Sequence, residues 1–200
     1  MAETTTISRP ELTMPEAEAE VLRAAYRDAS VVLEYGSGGS TVLAGEMPGK
    51  QVFSVESDRA WAQMMRDWFA AQPPVSGSRV DVIWSDIGPT KEWGHPKNDA
   101  DWRRFAEYPL KVWELPEFLH PDVVLVDGRF RIGCALATCF LATRPVTLLF
   151  DDYVDRKHYH KVEDYLGQPR ITGRLARFDV TPKPIPPMRL LRIMKWMMQP

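Results

Sequence analysis

Six acidic residues stand where they could do chemistry. Glu34, Glu56, Asp86, Asp127, Asp151 and Asp152 each close a short apolar run, in "VVLEYG", "VFSVES", "VIWSD", "VVLVDG" and "LLFDD". Acids in such places commonly make turns and cap helices. Six in series invite a second reading, because like charges gathered at one edge repel unless something uses them. The first acid precedes "GSGGST", a loop nearly stripped of side chains, where Gly36 and Gly38 would let a ligand approach the backbone. A dinucleotide fingerprint, Gly-x-Gly-x-x-Gly, would need glycine where Thr41 stands. Glu34 is also badly placed beside a phosphate and well placed for a ligand bearing a positive group.

The elements that must position these residues follow from periodicity. "VVLEYG", "QVFSVES", "RVDVIWSD", "DVVLVDG" and "VTLLFDDY" read as strands, and their nearly continuous apolar character predicts a sheet buried on both faces. Helical patterns alternate with them over Glu16–Asp28, Ser40–Glu46, Asp58–Ala71, Arg131–Ala142 and Asp155–Leu166, the last stopped by Gly167. The alternation predicts a doubly wound parallel α/β sheet. "RLARFDV" and "MRLLRIMKW" are expected to form a C-terminal antiparallel strand pair, since no crossover helix separates them.

The 200 residues are the size of one domain, 1–200, and the net charge of −2 points to neither nucleic acid nor an anionic membrane as a partner. "MAETTTISRPELTMPEAEAE" has no basic start followed by an apolar stretch, and no run is long enough to span a bilayer, so the expectation is a soluble, cytoplasmic protein. Cys134 and Cys139 are expected to be free, buried thiols on different faces of a helix. One segment departs from the alternation. Residues 87–115 carry three tryptophans, one histidine and many charges where a short crossover would suffice. Such an insertion is either a lid over the substrate or a solvated excursion packed on the flank. Trp93, His95, Tyr108 and Trp113 are its candidates for a substrate-facing wall.

With these motifs in order, the chain resembles the class I S-adenosylmethionine-dependent methyltransferases over roughly residues 30 to 195. The resemblance rests on "EYGSGGS", "VFSVESD", "VIWSDIG" and "VVLVDG". Ser40 stands where the family's loop usually has its third glycine. The resemblance implies a Rossmann-like, mostly parallel seven-stranded sheet. It also implies that Glu34, Gly36, Ser37 and Gly38 hold the methionine part of the donor, Glu56 the ribose, and Asp86 with Ile87 the adenine. Asp127, Asp151 and Asp152 are further similar to the acids of metal-dependent O-methyltransferases, which would hold Mg²⁺. The competing expectation is that Arg129 or Arg131 neutralises Asp127 while the other two acids cap a helix. Asp127 and Arg131 are the candidate catalytic residues. The expected function is methyl transfer to a small molecule, at oxygen. The alternatives are a non-catalytic nucleoside-binding protein of the same fold and a nicotinamide dehydrogenase, which Thr41 and Glu34 argue against. The sequence leaves the oligomeric state open.

Overall fold

The structure is a computed structural model that describes residues 8–200, so the first seven residues of "MAETTTISRPELTMPEAEAE" lie outside the described residues. Five parallel strands, β1 (Val31–Tyr35), β2 (Gln51–Glu56), β3 (Arg79–Trp84), β6 (Val123–Val126) and β7 (Val146–Phe150), are the five read from sequence. They belong to one seven-stranded sheet of order β3-β2-β1-β6-β7-β9-β8, completed by β8 (Arg170–Thr172) and β9 (Leu175–Val180). A separate two-stranded hairpin pairs β4 (Thr90–Lys91) with β5 (His95–Pro96).

The period-2 alternation divides the strand side chains between two cores. Leu33, Tyr35, Phe53, Val55, Val124 and Val126 join one, under the helix α5 (Arg131–Leu141). Val32, Val52, Val123 and Leu125 join the other, under α1 (Glu16–Asp28). A sheet covered on both faces has no solvent side for its strands, which is why they read as continuous apolar runs. α2 (Gly39–Gly45) and α3 (Arg59–Ala71), the latter capped by Asp58 accepting from Trp61 N, complete the first half. Cys134 and Cys139 are free and buried. Among the described residues, no helix is long and apolar enough to cross a membrane.

Two expectations about the C-terminal part are corrected. The antiparallel pair exists, but β9 pairs with β7 and with β8, the strand before it. "MRLLRIMKW" instead forms the helix α7 (Leu190–Met197), which follows a short α4 (Glu107–Leu110) and α6 (Glu163–Leu166) in the chain. Its apolar residues recur at helical spacing, and Ile193 and Met197, four apart, are buried against α5. The expected helix over 155–166 is mostly a 3-10 segment, Lys157–Val162, that becomes α-helical only at Glu163.

β1 lies between β2 and β6, so the chain leaves β1 in one direction and returns on its other side. That reversal opens the crevice where doubly wound sheets bind ligands, outside the strands' carboxyl ends.

Candidate active site

The glycine loop after β1 and the turn after β6 meet at this switch point. A Cβ on Gly36, whose φ is +104°, would stand 2.8 Å from Gly128 N, so the two backbones can touch only without side chains. Gly39 serves the chain itself: a Cβ there would lie 2.2 Å from Leu12 N, because the N-terminal segment crosses the loop at this point. Gly38 faces open space. Part of the glycine content thus serves protein packing and part leaves room above the loop.

Glu34 does not face the crevice. It alternates onto the α1 side of β1 and is fully buried, accepting from Tyr26 Oη at 2.6 Å, from Ser54 Oγ at 3.2 Å and from Thr41 Oγ1. Burial raises its pKa, and the hydroxyls partly offset that by stabilising the carboxylate. The expectation that its carboxylate meets a donor's ammonium is therefore corrected: Glu34 acts through the loop, which it ties to β2 and α1. Thr41, which spoils the dinucleotide fingerprint, is one of its partners.

Glu56 does reach the edge. Its Oε1 accepts from Ser57 N at 2.7 Å and Asp58 N at 2.8 Å, and its Oε2 from Ser37 N at a longer 3.2 Å. Oε2 keeps acceptor capacity for a further donor such as a hydroxyl. Burial raises the pKa of Glu56 and these amides oppose the rise. Asp86 follows β3 and is partly exposed, accepting from Gly88 N at 3.0 Å and pairing with Arg104 at 2.8 Å, while Ile87 beside it is buried. Trp61, unnoticed in the sequence, donates Nε1–H to Ser37 O at 2.8 Å from the first turn of α3. Its only sequence signal is its place one turn into a capped helix after "ESD".

The inserted segment divides in two. The β4–β5 hairpin lies over Glu56: Ser57 Oγ donates to Gly94 O at 2.9 Å, and Thr90 Oγ1 to Asp58 at 3.3 Å. His95 reaches the field of Arg129, which, after burial, holds its pKa below the usual value. Trp93 at the hairpin tip is 88% exposed. The rest of the segment is core. Phe105, Tyr108 and Val112 are buried on the α5 face, and Trp113 donates to Tyr35 Oη at 2.8 Å. The expectation of a wall of tryptophan and tyrosine is thus corrected for Tyr108 and Trp113, whose rings are consumed in packing. Tyr108 still sends its hydroxyl to the edge, donating to Val55 O at 3.2 Å. A cleft of about 400 Å³ lined by Phe140, Tyr165, Lys183 and Arg189 lies elsewhere, beside α6, and is not part of this site.

Asp127, Asp151 and Asp152 converge as expected, with oxygens within 4.8 Å of one another. Three guanidiniums meet them. Arg174 is bidentate on Asp151 at 3.0 and 2.9 Å, Arg156 pairs with Asp152 at 2.7 Å, and Arg131 pairs with Asp127 at 3.0 Å. Three negative charges thus face three positive ones. A dication here would stand against three cations and displace their bonds, so this donor set does not fit Mg²⁺. Arg131 spends its remaining donors on Gly128 O, Asp151 O and Asp127 O, and so positions the two loops rather than a substrate. Asp127 keeps 37% of its side chain exposed, yet loss of solvation and the neighbouring acids outweigh Arg131 and lift its carboxyl to about 7. His160 stacks on Tyr153, apart from the acids. The non-glycine residues with positive φ among the described residues, Trp93, Phe130 and Asp152, all flank this edge. Such strain collects where structure is committed to a site.

This edge, with its glycine loop, strand-end acids and reversed strand order, is that of the class I methyltransferase fold. Comparison with solved structures agrees. A methyltransferase-like protein from Silicibacter pomeroyi is 64% identical, over 96% of this chain and 99% of that one, with a TM-score of 0.94. The chain belongs to the family of that protein, among the S-adenosylmethionine-dependent methyltransferases. The O-methyltransferase TomG from Streptomyces achromogenes, involved in tomaymycin synthesis and solved with S-adenosylmethionine, shares the fold at 14% identity and a TM-score of 0.54, over 86% of this chain and 82% of that one. A methyltransferase from Geobacter sulfurreducens does so at 10% identity and a TM-score of 0.51, over 86% and 82%. No family model and no curated protein matches the chain.

Proposed function

We propose that the protein transfers a methyl group from S-adenosylmethionine to an oxygen of a small molecule. The observation that supports this most is the order of groups along one sheet edge: the loop Gly36–Ser37–Gly38, then Glu56, then Asp86 and Ile87, with Asp127 across the switch point. In this reading Glu56 Oε2 accepts from the ribose and Asp86 from the adenine amino group. Methyl transfer is an in-line displacement at carbon, so positioning does most of the work. An oxygen nucleophile must also lose its proton. Asp127, with a carboxyl at about 7, is matched to that task near neutral pH. Arg131 holds Asp127 in place, and no metal is required.

The β4–β5 hairpin acts as the lid. Because it is bonded to Ser57 beside the ribose acid, it opens to admit the donor and closes to exclude water. The same contact also suits a second reading, a non-catalytic binding protein with a permanently covered edge. Calorimetry with S-adenosylmethionine and its demethylated product tests the donor assignment, and binding of neither would end it. Donor binding without turnover on any hydroxylated acceptor would favour the second reading.

A further inference from the structure

The three acids and three arginines of this edge balance, and a fourth arginine is left over. Arg129 follows Gly128, whose backbone touches the glycine loop, so it sits at the switch point itself. Among the described residues its Nε is buried without a hydrogen-bond partner, and the ion pairs of this edge go to Arg131, Arg156 and Arg174, none to Arg129. The guanidiniums that act on it, Arg131 and Arg156, repel it, and burial and this repulsion lower its pKa. A partly buried cation with no counter-charge is costly in the free protein. It is useful if an anion arrives. The charged groups that act on Arg129 are Arg131 and Arg156, with no carboxylate among them, and the hairpin's His95 feels Arg129 as a neighbouring cation.

We propose that Arg129 anchors an oxyanion subsite on the acceptor side of the edge, so that the methyl acceptor is a small molecule bearing a carboxylate or a phosphate group. The inference rests on the methyltransferase reading for the word acceptor, but the anion site stands on Arg129 alone. A guanidinium presents five N–H donors in a planar fork that matches either oxyanion. Arg131 cannot serve, since it is buried and makes four hydrogen bonds to backbone carbonyls and Asp127.

The test uses thermal melts of the full chain in inorganic phosphate, in acetate and in chloride at equal ionic strength. Wild type should melt higher in phosphate or acetate than in chloride, and the more effective arm identifies the group. Arg129→Met should melt higher than wild type in chloride, because it removes an uncompensated cation, and should respond to neither oxyanion beyond chloride. Anion affinity should fall by about ten-fold to a hundred-fold, the worth of a charge-assisted bond. Should Arg129→Met fail to fold, Arg129→Gln carries the same comparison. Equal oxyanion responses in wild type and variant, or no response in wild type, would overturn the subsite. Calorimetry with the demethylated donor on both proteins separates the two ideas: equal affinity in both keeps the anion on the acceptor, and a loss confined to Arg129→Met would assign it to the donor's own carboxylate and overturn the acceptor claim. Its failure in both would end the methyltransferase reading and leave the anion result standing.

Discussion

Asp151→Asn is the substitution that best tells a metal centre from an arginine-neutralised cluster. Asp151 is 1% exposed and takes two charge-assisted bonds from Arg174, at 3.0 and 2.9 Å. Removing one partner of a buried pair costs roughly 3–5 kcal/mol. Three features of the site lower that. Arg174 is 37% exposed, so water can resolvate it. It also reaches Asp152 at 3.3 Å. The asparagine carbonyl can still accept one bond. A loss of about 2 kcal/mol remains, which for about 200 residues corresponds to a melting temperature lower by roughly 4–8 °C. The assay is thermal or urea unfolding in chelator and again in millimolar Mg²⁺. Wild type should be indifferent to Mg²⁺, and the variant should be weaker in both. Three unpaired carboxylates would behave in the opposite way: the variant would gain stability in chelator and wild type would gain from Mg²⁺. Either result would refute the neutralisation argument.

Other consequences can be checked separately. Glu56→Gln should weaken binding of S-adenosylmethionine by about 1.5–3 kcal/mol, the range for a hydrogen bond to a charged group, measured by calorimetry; unchanged affinity would remove Glu56 from the ribose site. If Asp127 takes the acceptor's proton, it must be ionised, so kcat/KM should rise with pH through about 7, the position to which burial lifts its carboxyl. Asp127→Asn should abolish that rising limb while sparing donor binding, and an unchanged profile would assign the proton to another group. Ser57→Ala removes the bond to Gly94 O that holds the hairpin down. Hydrogen exchange over residues 90–96 should then quicken by about five-fold, equivalent to ~1 kcal/mol, and no change would mean that the lid is held elsewhere.

Where a signal was local in the chain, it was legible. The five parallel strands show as apolar runs because a two-sided buried sheet needs apolar residues at every position. α1 was read with its observed bounds, because an amphipathic period of 3.6 is a property of consecutive residues. Glu56 and Asp86 could be located because one ends β2 and the other follows the end of β3 by two residues, and a strand's end fixes the place of both at the edge. The one helix mistaken for a strand, α7, shows the limit of such reading: nine residues rich in Leu, Ile and Met satisfy both periods, and only the α5 surface beneath Ile193 and Met197 chose between them.

Direction and partnership were decided by tertiary structure. Glu34 and Glu56 both precede Gly- or Ser-rich turns, yet one faces α1 and the other the crevice. The two share a face of the sheet, since Glu34 lies opposite Ser54 and Glu56 stands two residues further on; the difference is that Glu34 lies inside β1 beneath α1 while Glu56 is the last residue of β2, at the edge. Asp127, Asp151 and Asp152 looked like a metal site because three carboxylates repel. Their neutralisation depends on Arg174, which is 23 residues from Asp151 and comes from the turn between β8 and β9. The sequence alone thus determined which residues stand at the strand ends, since that follows from local periodicity. Folding alone determined which of their charges are cancelled and that Arg129's is left over, since charge pairing acts over distances of a few ångströms between segments far apart in the chain.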